Sequence, residues 1–211
     1  MTSIGDRELH GLKRCPHCAV STPVLYRVWS SEDPLPRGDG QPSSVWSAFA
    51  CTSCGSIVSA KAHPGGTGIR DIFPKPKAAH EDVPDVARTF LQQAFDTLHA
   101  PDAAAVMAGS AVDAMLKKVG YSEGSLYSRI ETALKDGVLT QDMSEWAHEV
   151  RLGSNRPRHS DSENPHVSSE QAKQSVEFAE ALGTFLFVLK ARIDRGILGA
   201  REASSGSNPA R

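Results

Sequence analysis

Cys15-Pro16-His17-Cys18 and Cys51-Thr52-Ser53-Cys54 are two matched Cys-x-x-Cys pairs, and they contain all four cysteines of the 211-residue chain. Two residues between cysteines allow a tight turn to direct both sulfurs toward one ion, and a second such turn completes a tetrahedron. The pattern predicts one structural Zn²⁺ ion held by Cys15, Cys18, Cys51 and Cys54. A closed four-sulfur site leaves no position for a catalytic water. A disulfide-linked domain and a redox-active Cys-x-x-Cys pair are the alternatives.

The stretch between the two pairs favours a zinc ribbon. Two β-prone runs, 24–29 and 45–50, are separated by a loop at 34–42 that is rich in proline and glycine. A ribbon of this size needs aromatic side chains in its core, so at least two of its four aromatic residues are predicted to be buried. Any that are exposed can stack on nucleobases. The four are Tyr26, Trp29, Trp46 and Phe49.

The composition changes after the ribbon and predicts a second domain. The ribbon is assigned to residues 1–62, a linker rich in glycine and proline to 63–80, a helical bundle to 81–199 and a disordered tail to 200–211. The predicted fold class is therefore α+β, a small N-terminal β zinc ribbon followed by an all-α bundle.

Five helices are predicted from apolar spacing and end signals. The second helix has an apolar band too wide for a surface helix, which places it at the centre of the bundle. The residues that mark helix ends are Pro84, Pro101, Gly120, Ser125, Asp136, Gly137, Thr140 and Ser168, the last with Gln171 in a capping box.

Charge and hydropathy indicate where the protein is located and which partners it can bind. The formal net charge is −2, and no stretch approaches the roughly 20 apolar residues of a membrane span. A cytoplasmic protein without a membrane segment is predicted. Residues 1–80 carry nine Lys and Arg against six Asp and Glu, which is weak support for phosphate binding because four thiolates and one Zn²⁺ together carry a charge of −2.

The segment 151–159, Arg-Leu-Gly-Ser-Asn-Arg-Pro-Arg-His, interrupts the helical pattern. A histidine beside arginines can act as a general acid or base next to a cation that stabilises a phosphorane-like charge. The structural alternative is a helix end, where Asn155 and His159 satisfy backbone groups and Pro157 disfavours helical backbone at Arg156.

The order of several motifs resembles a bacterial domain-of-unknown-function family, number 4145, over about residues 12–195. The motifs are Val83-Pro84, Pro101-Asp102-Ala103-Ala104, Trp146-Ala147 and Arg151-x-Gly153-x-Asn155-x-x-x-His159, followed by a long C-terminal helix. The resemblance implies a relationship to the HEPN helical superfamily, an N-terminal zinc ribbon, and an association with restriction and other defence proteins.

The resemblance also implies which residues would act in catalysis. Active HEPN ribonucleases place an Arg four to six residues before the catalytic His, usually followed directly by a polar residue. Asn155 and His159 match the later part of this motif, but Ser154 stands where the Arg is expected. The second helix of the family usually bears an Arg before an acid, and here Gly109 replaces the cation while Asp113 keeps the acid. Both departures argue against nuclease catalysis.

The preferred hypothesis is a binding and interaction module that contacts nucleic acid or protein and forms a homodimer through its helical domain. The alternative is a metal-independent ribonuclease of toxin or defence type, with His159 as acid or base, Arg151 or Arg158 as charge stabiliser and Asn155 as positioning residue. A structural subunit of a larger restriction-type complex is the third hypothesis.

Overall fold

The computed structural model describes residues 2–31, 33–159 and 164–206, and the side chains of residue 159 and residues 203–206 lie outside the description. The chain divides into two compact units, Met1–Lys77 and Ala78–Arg211. The first unit contains the strands and the second contains the helices, so the predicted α+β class is confirmed.

The first unit contains a two-stranded sheet and a four-stranded antiparallel sheet of order β3-β4-β5-β6. Strands β3 and β4 confirm the two predicted β-prone runs. Strand β6 lies within the segment predicted as a linker, because its isoleucines pack on the core of the sheet. The strands are β1 (Ser3–Ile4), β2 (Leu9–His10), β3 (Leu25–Ser30), β4 (Val45–Cys51), β5 (Ile57–Ala62) and β6 (Ile69–Phe73).

The core of this unit lies on one face of the four-stranded sheet. Leu25, Phe49 and Val58 are fully buried there, together with the cysteines at 15 and 51. The expectation that at least two of the four aromatic residues are buried is wrong, because only Phe49 is. Tyr26 and Trp29 are about half exposed, 47% and 54%.

The second unit is built around α2, which packs against α1, α4 and α5. Its buried face carries four alanines, at 104, 105, 108 and 111, so neighbouring helices approach closely. The central position predicted for this helix is confirmed. The helices are α1 (Asp85–Asp96), α2 (Pro101–Lys118), α3 (Leu126–Lys135), α4 (Gln141–His159), α5 (Ser169–Gly183) and, after a π-helical turn at Thr184–Val188, α6 (Leu189–Gly206).

The predicted helix starts are also confirmed. The Ser125 side chain accepts a hydrogen bond from the Ser128 N–H, and Thr140 Oγ1 accepts one from the Met143 N–H at 3.2 Å. Ser168 and Gln171 form the reciprocal capping box before α5.

Two expectations about helix ends are wrong. Helix α4 does not break at Arg151 but continues through Pro157 to residue 159. Pro157 lies in the last turn of α4, where a proline removes only one hydrogen bond of the helix. The preceding turn is packed against α2 through the buried Ser154. Helix α6 also continues to Gly206, past the predicted end of the bundle at 199. Residues 207–211 of the predicted tail lie outside the described residues.

Among the residues that the structure describes, no helix combines the length and the apolar character needed to cross a membrane.

Asp102, in the first turn of α2, fixes the chain before α5. Its Oδ1 accepts a hydrogen bond from the Val167 N–H at 2.7 Å, and its Oδ2 lies 2.7 Å from Nδ1 of His166. The Val167 N–H, and then His166, hold the pKa of Asp102 below its ordinary value.

We expect Asp102→Ala to destabilise the helical unit by about 1–2 kcal/mol near pH 7, because the N–H of the buried Val167 loses its acceptor. A lowered folded-state pKa means that this stabilisation is present above pH ~4 and is lost as the pH falls below that value, so the difference should shrink near pH 3. Urea denaturation followed by helical circular dichroism measures the loss of stability at pH 7 and at pH 3. His166→Ala removes only a mostly exposed partner, and an equal loss in that variant would contradict the account.

Candidate functional site

The four cysteines converge into one cluster in the first unit. Their Sγ atoms all lie within 4.8 Å of one another, and none is in a disulfide. A tetrahedral ion with metal–sulfur bonds of about 2.3 Å requires sulfur–sulfur separations of about 3.8 Å. The Cys15 Sγ to Cys54 Sγ distance of 4.0 Å fits that requirement. The four residues can therefore hold one metal ion.

The two cysteine pairs are built as the same turn. The Cys15 N–H donates to the Val20 carbonyl at 3.0 Å, and the Cys15 carbonyl accepts from the Ala19 N–H at 2.9 Å. The second pair repeats both bonds. The Cys51 N–H donates to the Ser56 carbonyl at 3.0 Å, and the Cys51 carbonyl accepts from the Gly55 N–H at 2.8 Å. The fourth residue after each first cysteine has a left-handed backbone, with φ of 58° at Ala19 and 71° at Gly55.

The thiols differ in acidity. Burial raises the pKa of Cys15, and burial raises the pKa of Cys18 to about 12. Burial also opposes ionisation of Cys54, but hydrogen bonds from Ser56, together with those from Cys18 and Cys51, lower the pKa of Cys54 to about 7. Binding of a cation to four thiolates therefore displaces protons from this cluster.

His17 lies outside the cluster of metal-ligating atoms. Its Nε2 donates a hydrogen bond to the Ile57 carbonyl at 2.9 Å. This contact joins the first cysteine pair to the start of β5, so the residue has a structural contact in the turn.

We expect Cys51→Ser to lose the bound metal and to unfold the first unit, because a structural zinc site contributes on the order of 10 kcal/mol to the folding of a small domain. Elemental analysis gives the metal per chain, and limited proteolysis reports the fold. Ser53→Ala, an exposed change between two ligands, is the matched control and should keep the metal. A Cys51→Ser chain that retained both metal and protease resistance would overturn the structural assignment.

The helical unit contains a cleft of about 1170 Å³. Helices α1, α2, α3 and α4 and the turn before α1 all contribute lining residues. Three of the four sequence-predicted catalytic candidates, Arg151, Asn155 and Arg158, line this cleft. The structure therefore brings them together from successive turns of α4.

The two arginines are held by neutral groups. The Arg151 guanidinium carbon lies 5.3 Å from the centre of the Tyr127 ring, and Arg151 Nε is buried without a hydrogen-bond partner. Arg158 Nη2 donates to Ser110 Oγ at 3.1 Å. Neither arginine has a carboxylate partner within the described ranges 2–31, 33–159 and 164–206.

The cleft also contains cations that sequence reasoning missed. Asp113, the acid retained on α2, pairs with Arg129 and, at 2.6 Å, with Lys117. Arg129 Nη2 also donates to the carbonyls of Ser122 and Gly124, at 3.0 and 2.7 Å. The i to i+4 spacing of Asp113 and Lys117 was visible in the sequence. Arg129 was not, because it reaches Asp113 from another helix.

The last candidate, His159, is the final residue of α4. Its side chain lies outside the described residues, so its predicted role as acid or base stays a prediction.

A close helix contact explains why the cation expected at 109 is absent. A Cβ atom added to Gly109 would lie 2.6 Å from both Cβ and Oγ of Ser154. Ser154 is buried, and its hydroxyl donates to the Arg151 carbonyl at 2.9 Å. Neither position has room for an arginine while α2 and α4 keep this spacing.

We expect Gly109→Ala to destabilise the helical unit by about 1–3 kcal/mol, because the added methyl group overpacks the contact between α2 and α4. The double variant Gly109→Ala with Ser154→Gly relieves the clash and should be more stable than the sum of the two single changes by more than about 1 kcal/mol. Urea denaturation of the four proteins gives this coupling energy. Simple additivity would show that the contact does not limit residue 109.

The comparisons with known proteins agree with this division of the chain. The model of a domain of unknown function, DUF4145, matches residues 78–197, which is more than half of the chain. The chain belongs to the DUF4145 family. Searches of curated proteins and of solved structures each returned no match.

Proposed function

We propose that this chain is a zinc-stabilised, HEPN-like binding module that holds nucleic acid in the cleft of its helical unit and does not cleave it. The observation that carries the proposal is the placement of Arg151 and Arg158 in one cleft without carboxylate partners among the described residues. Guanidinium groups bind phosphate oxygens through paired N–H donors, and a buried Nε without a partner favours an anionic ligand.

The charged residues of the cleft lining differ in whether they are paired with an opposite charge. Its lining contains four acids, Glu81, Asp82, Asp85 and Asp113. Asp113 is neutralised by Arg129 and Lys117, and the other two aspartates pair with arginines outside the cleft lining. The lining cations without a carboxylate partner among the described residues are Arg151 and Arg158 on α4 and Lys118 at the end of α2. Two of these three lie on α4, so a phosphate group is expected to bind beside that helix.

Zinc is the proposed ion of the first unit. Four thiolates at tetrahedral spacing suit Zn²⁺, which has no preference for octahedral or square geometry. With all four positions occupied by sulfur, the ion supports the fold and takes no part in hydrolysis.

A homodimer is proposed through α6. Four apolar side chains recur every fourth residue along the π-helical turn and α6, and each is 46–51% exposed: Phe185, Leu189, Ile193 and Ile197. A stripe at this spacing forms one face of a helix. Arg195 forms two hydrogen bonds to Asp82, at 2.9 and 2.8 Å, which hold α6 beside the turn before α1. A second copy of the same stripe is the proposed partner.

One observation favours the ribonuclease alternative, namely that Arg151, Asn155 and Arg158 share the cleft. The contact between Gly109 and Ser154 counts against it, because neither position has room for an arginine of the family motif. The defence or restriction setting, including a role as a structural subunit, rests on the family resemblance. The cytoplasmic location stays a prediction.

We expect Arg151→Ala with Arg158→Ala to weaken binding of a labelled single-stranded oligonucleotide by tenfold or more at about 0.1 M salt, and to reduce the slope of log K against log salt by about 2. Fluorescence anisotropy at several salt concentrations measures both. The control pair Lys135→Ala with Arg201→Ala removes the same charge from residues that do not line the cleft.

Two results would contradict the proposal. Equal loss of binding in both pairs would show that only net charge matters. Cleavage of mixed RNA by the unchanged protein, abolished by His159→Ala, would establish the ribonuclease instead.

A further inference from the structure

The four-stranded sheet has a second face that its own core does not cover. Tyr26, Trp29, Trp46 and Phe73 lie on this face, which we call the aromatic face. Three of the four are more than 40% exposed, Tyr26 at 47%, Trp29 at 54% and Phe73 at 41%. Two of the three tryptophans of the chain are therefore on one side of one small sheet.

A β-bulge puts two of these rings on the same side. In a regular strand Tyr26 and Trp29 are three residues apart and would face opposite sides. The pairing of β3 with β4 shifts between Arg27 and Trp29, so Tyr26 is opposite Ala50 and Trp29 is opposite Ala48. Because Ala48 and Ala50 are two residues apart on β4, both rings belong to one face.

The pairing register shows how the face is laid out. Trp29, Ala48, Ser59 and Phe73 are cross-strand neighbours in one row that spans all four strands. The two residues in the middle are small and partly buried, so the large rings stand at the two ends of the row. The Trp46 ring packs beside Phe73, with ring centres 5.7 Å apart and planes tilted by 31°.

Cationic groups border the aromatic face. Lys61 Nζ lies 5.9 Å from the centre of the Trp46 ring. Trp46, Lys61 and Asp71 are cross-strand neighbours in the next row, so an acid stands beside Lys61. On the other side, a groove of about 560 Å³ is lined by Tyr26 and Trp29 together with Arg7, beside Asp6. The exposed Glu8 is the cross-strand neighbour of Tyr26, so an acid stands next to each of the two cations. The sequence of the unit carries nine Lys and Arg against six Asp and Glu, an excess that four thiolates and one Zn²⁺ reduce to about +1.

We infer that the aromatic face binds single-stranded nucleic acid by stacking of unpaired bases on Trp29, Tyr26 and the Trp46–Phe73 pair, with Arg7 and Lys61 contacting phosphates. Flat rings separated by small residues accept bases of any sequence, and bordering cations follow a phosphate backbone. The rings are spread along the sheet, and the exposed apolar side chains beside them, Val28 and Ile57, are single residues. An interface with a protein is instead expected to surround its aromatic anchors with a packed apolar core. The inference rests on the nucleic-acid class of the proposed function and adds a second surface, with a preference for unpaired bases.

The test uses the full-length, zinc-loaded chain and a fluorescein-labelled oligo(dT) of about 15 nucleotides, near the upper range of a small single-strand site. Trp29→Ala with Tyr26→Ala should weaken binding by about tenfold or more, because two stacking contacts are lost. Trp29→Phe with Tyr26→Phe keeps both rings and should bind within about threefold of the unchanged chain. Leu35→Ala, an exposed apolar change that removes none of the four rings, is the matched control. A duplex of the same length should bind more weakly than the single strand.

The Arg151→Ala, Arg158→Ala pair is measured in the same assay to separate the two proposals. The variant Trp29→Ala with Tyr26→Ala is called the alanine pair, and Arg151→Ala with Arg158→Ala the arginine pair. If the alanine pair binds as the unchanged chain does while the arginine pair loses binding, the aromatic face is overturned and the proposed function stands. If only the alanine pair loses binding, the aromatic face stands and the cleft is not the nucleic-acid site. If the unchanged chain binds no oligo(dT), or if the phenylalanine pair or Leu35→Ala loses as much as the alanine pair, the inference is overturned.

Discussion

The contact between Gly109 and Ser154 is the constraint on which the helical unit depends. It brings the middle of α2 close to the C-terminal half of α4. Arg151 and Arg158, which lie on either side of Ser154 in sequence, are then fixed relative to Ser110 and Asp113 on α2. The same closeness excludes any longer side chain from both positions. One packing distance thus shapes the cleft and determines which cations can line it.

The first unit depends on a different kind of constraint. Its core has few large side chains, and the cysteine cluster lies among them. Two copies of one turn present the four sulfurs, so a metal ion can supply stabilisation that so small a core does not supply alone. Covering one face of the sheet with the cysteine turns leaves the other face to the aromatic residues. The cysteine cluster and the aromatic face therefore lie on opposite sides of the same four-stranded sheet.

Much of this could be predicted from local signals. The cysteine spacing, Pro101, Ser125 and the capping box at Ser168 each act within a few residues, so their effects are readable in the sequence. Three expectations failed where distant contacts decide. Helix α4 continues through Pro157 because Ser154 is held by packing, strand β6 forms because its isoleucines reach the sheet core, and only Phe49 among four aromatic residues is buried.

The sequence by itself predicted the four candidate metal ligands, two strands of the larger sheet, the order of the helices, and the membership of the α4 arginines in a candidate site. Tertiary structure alone decided that Arg129 reaches Asp113, that Gly109 faces Ser154, and that a bulge places Tyr26 and Trp29 on one face. The physical reason is the distance along the chain between the residues that interact. Turns and caps are set by neighbours along the chain, whereas the cleft and the aromatic face depend on the spacing and register of segments that meet only after folding.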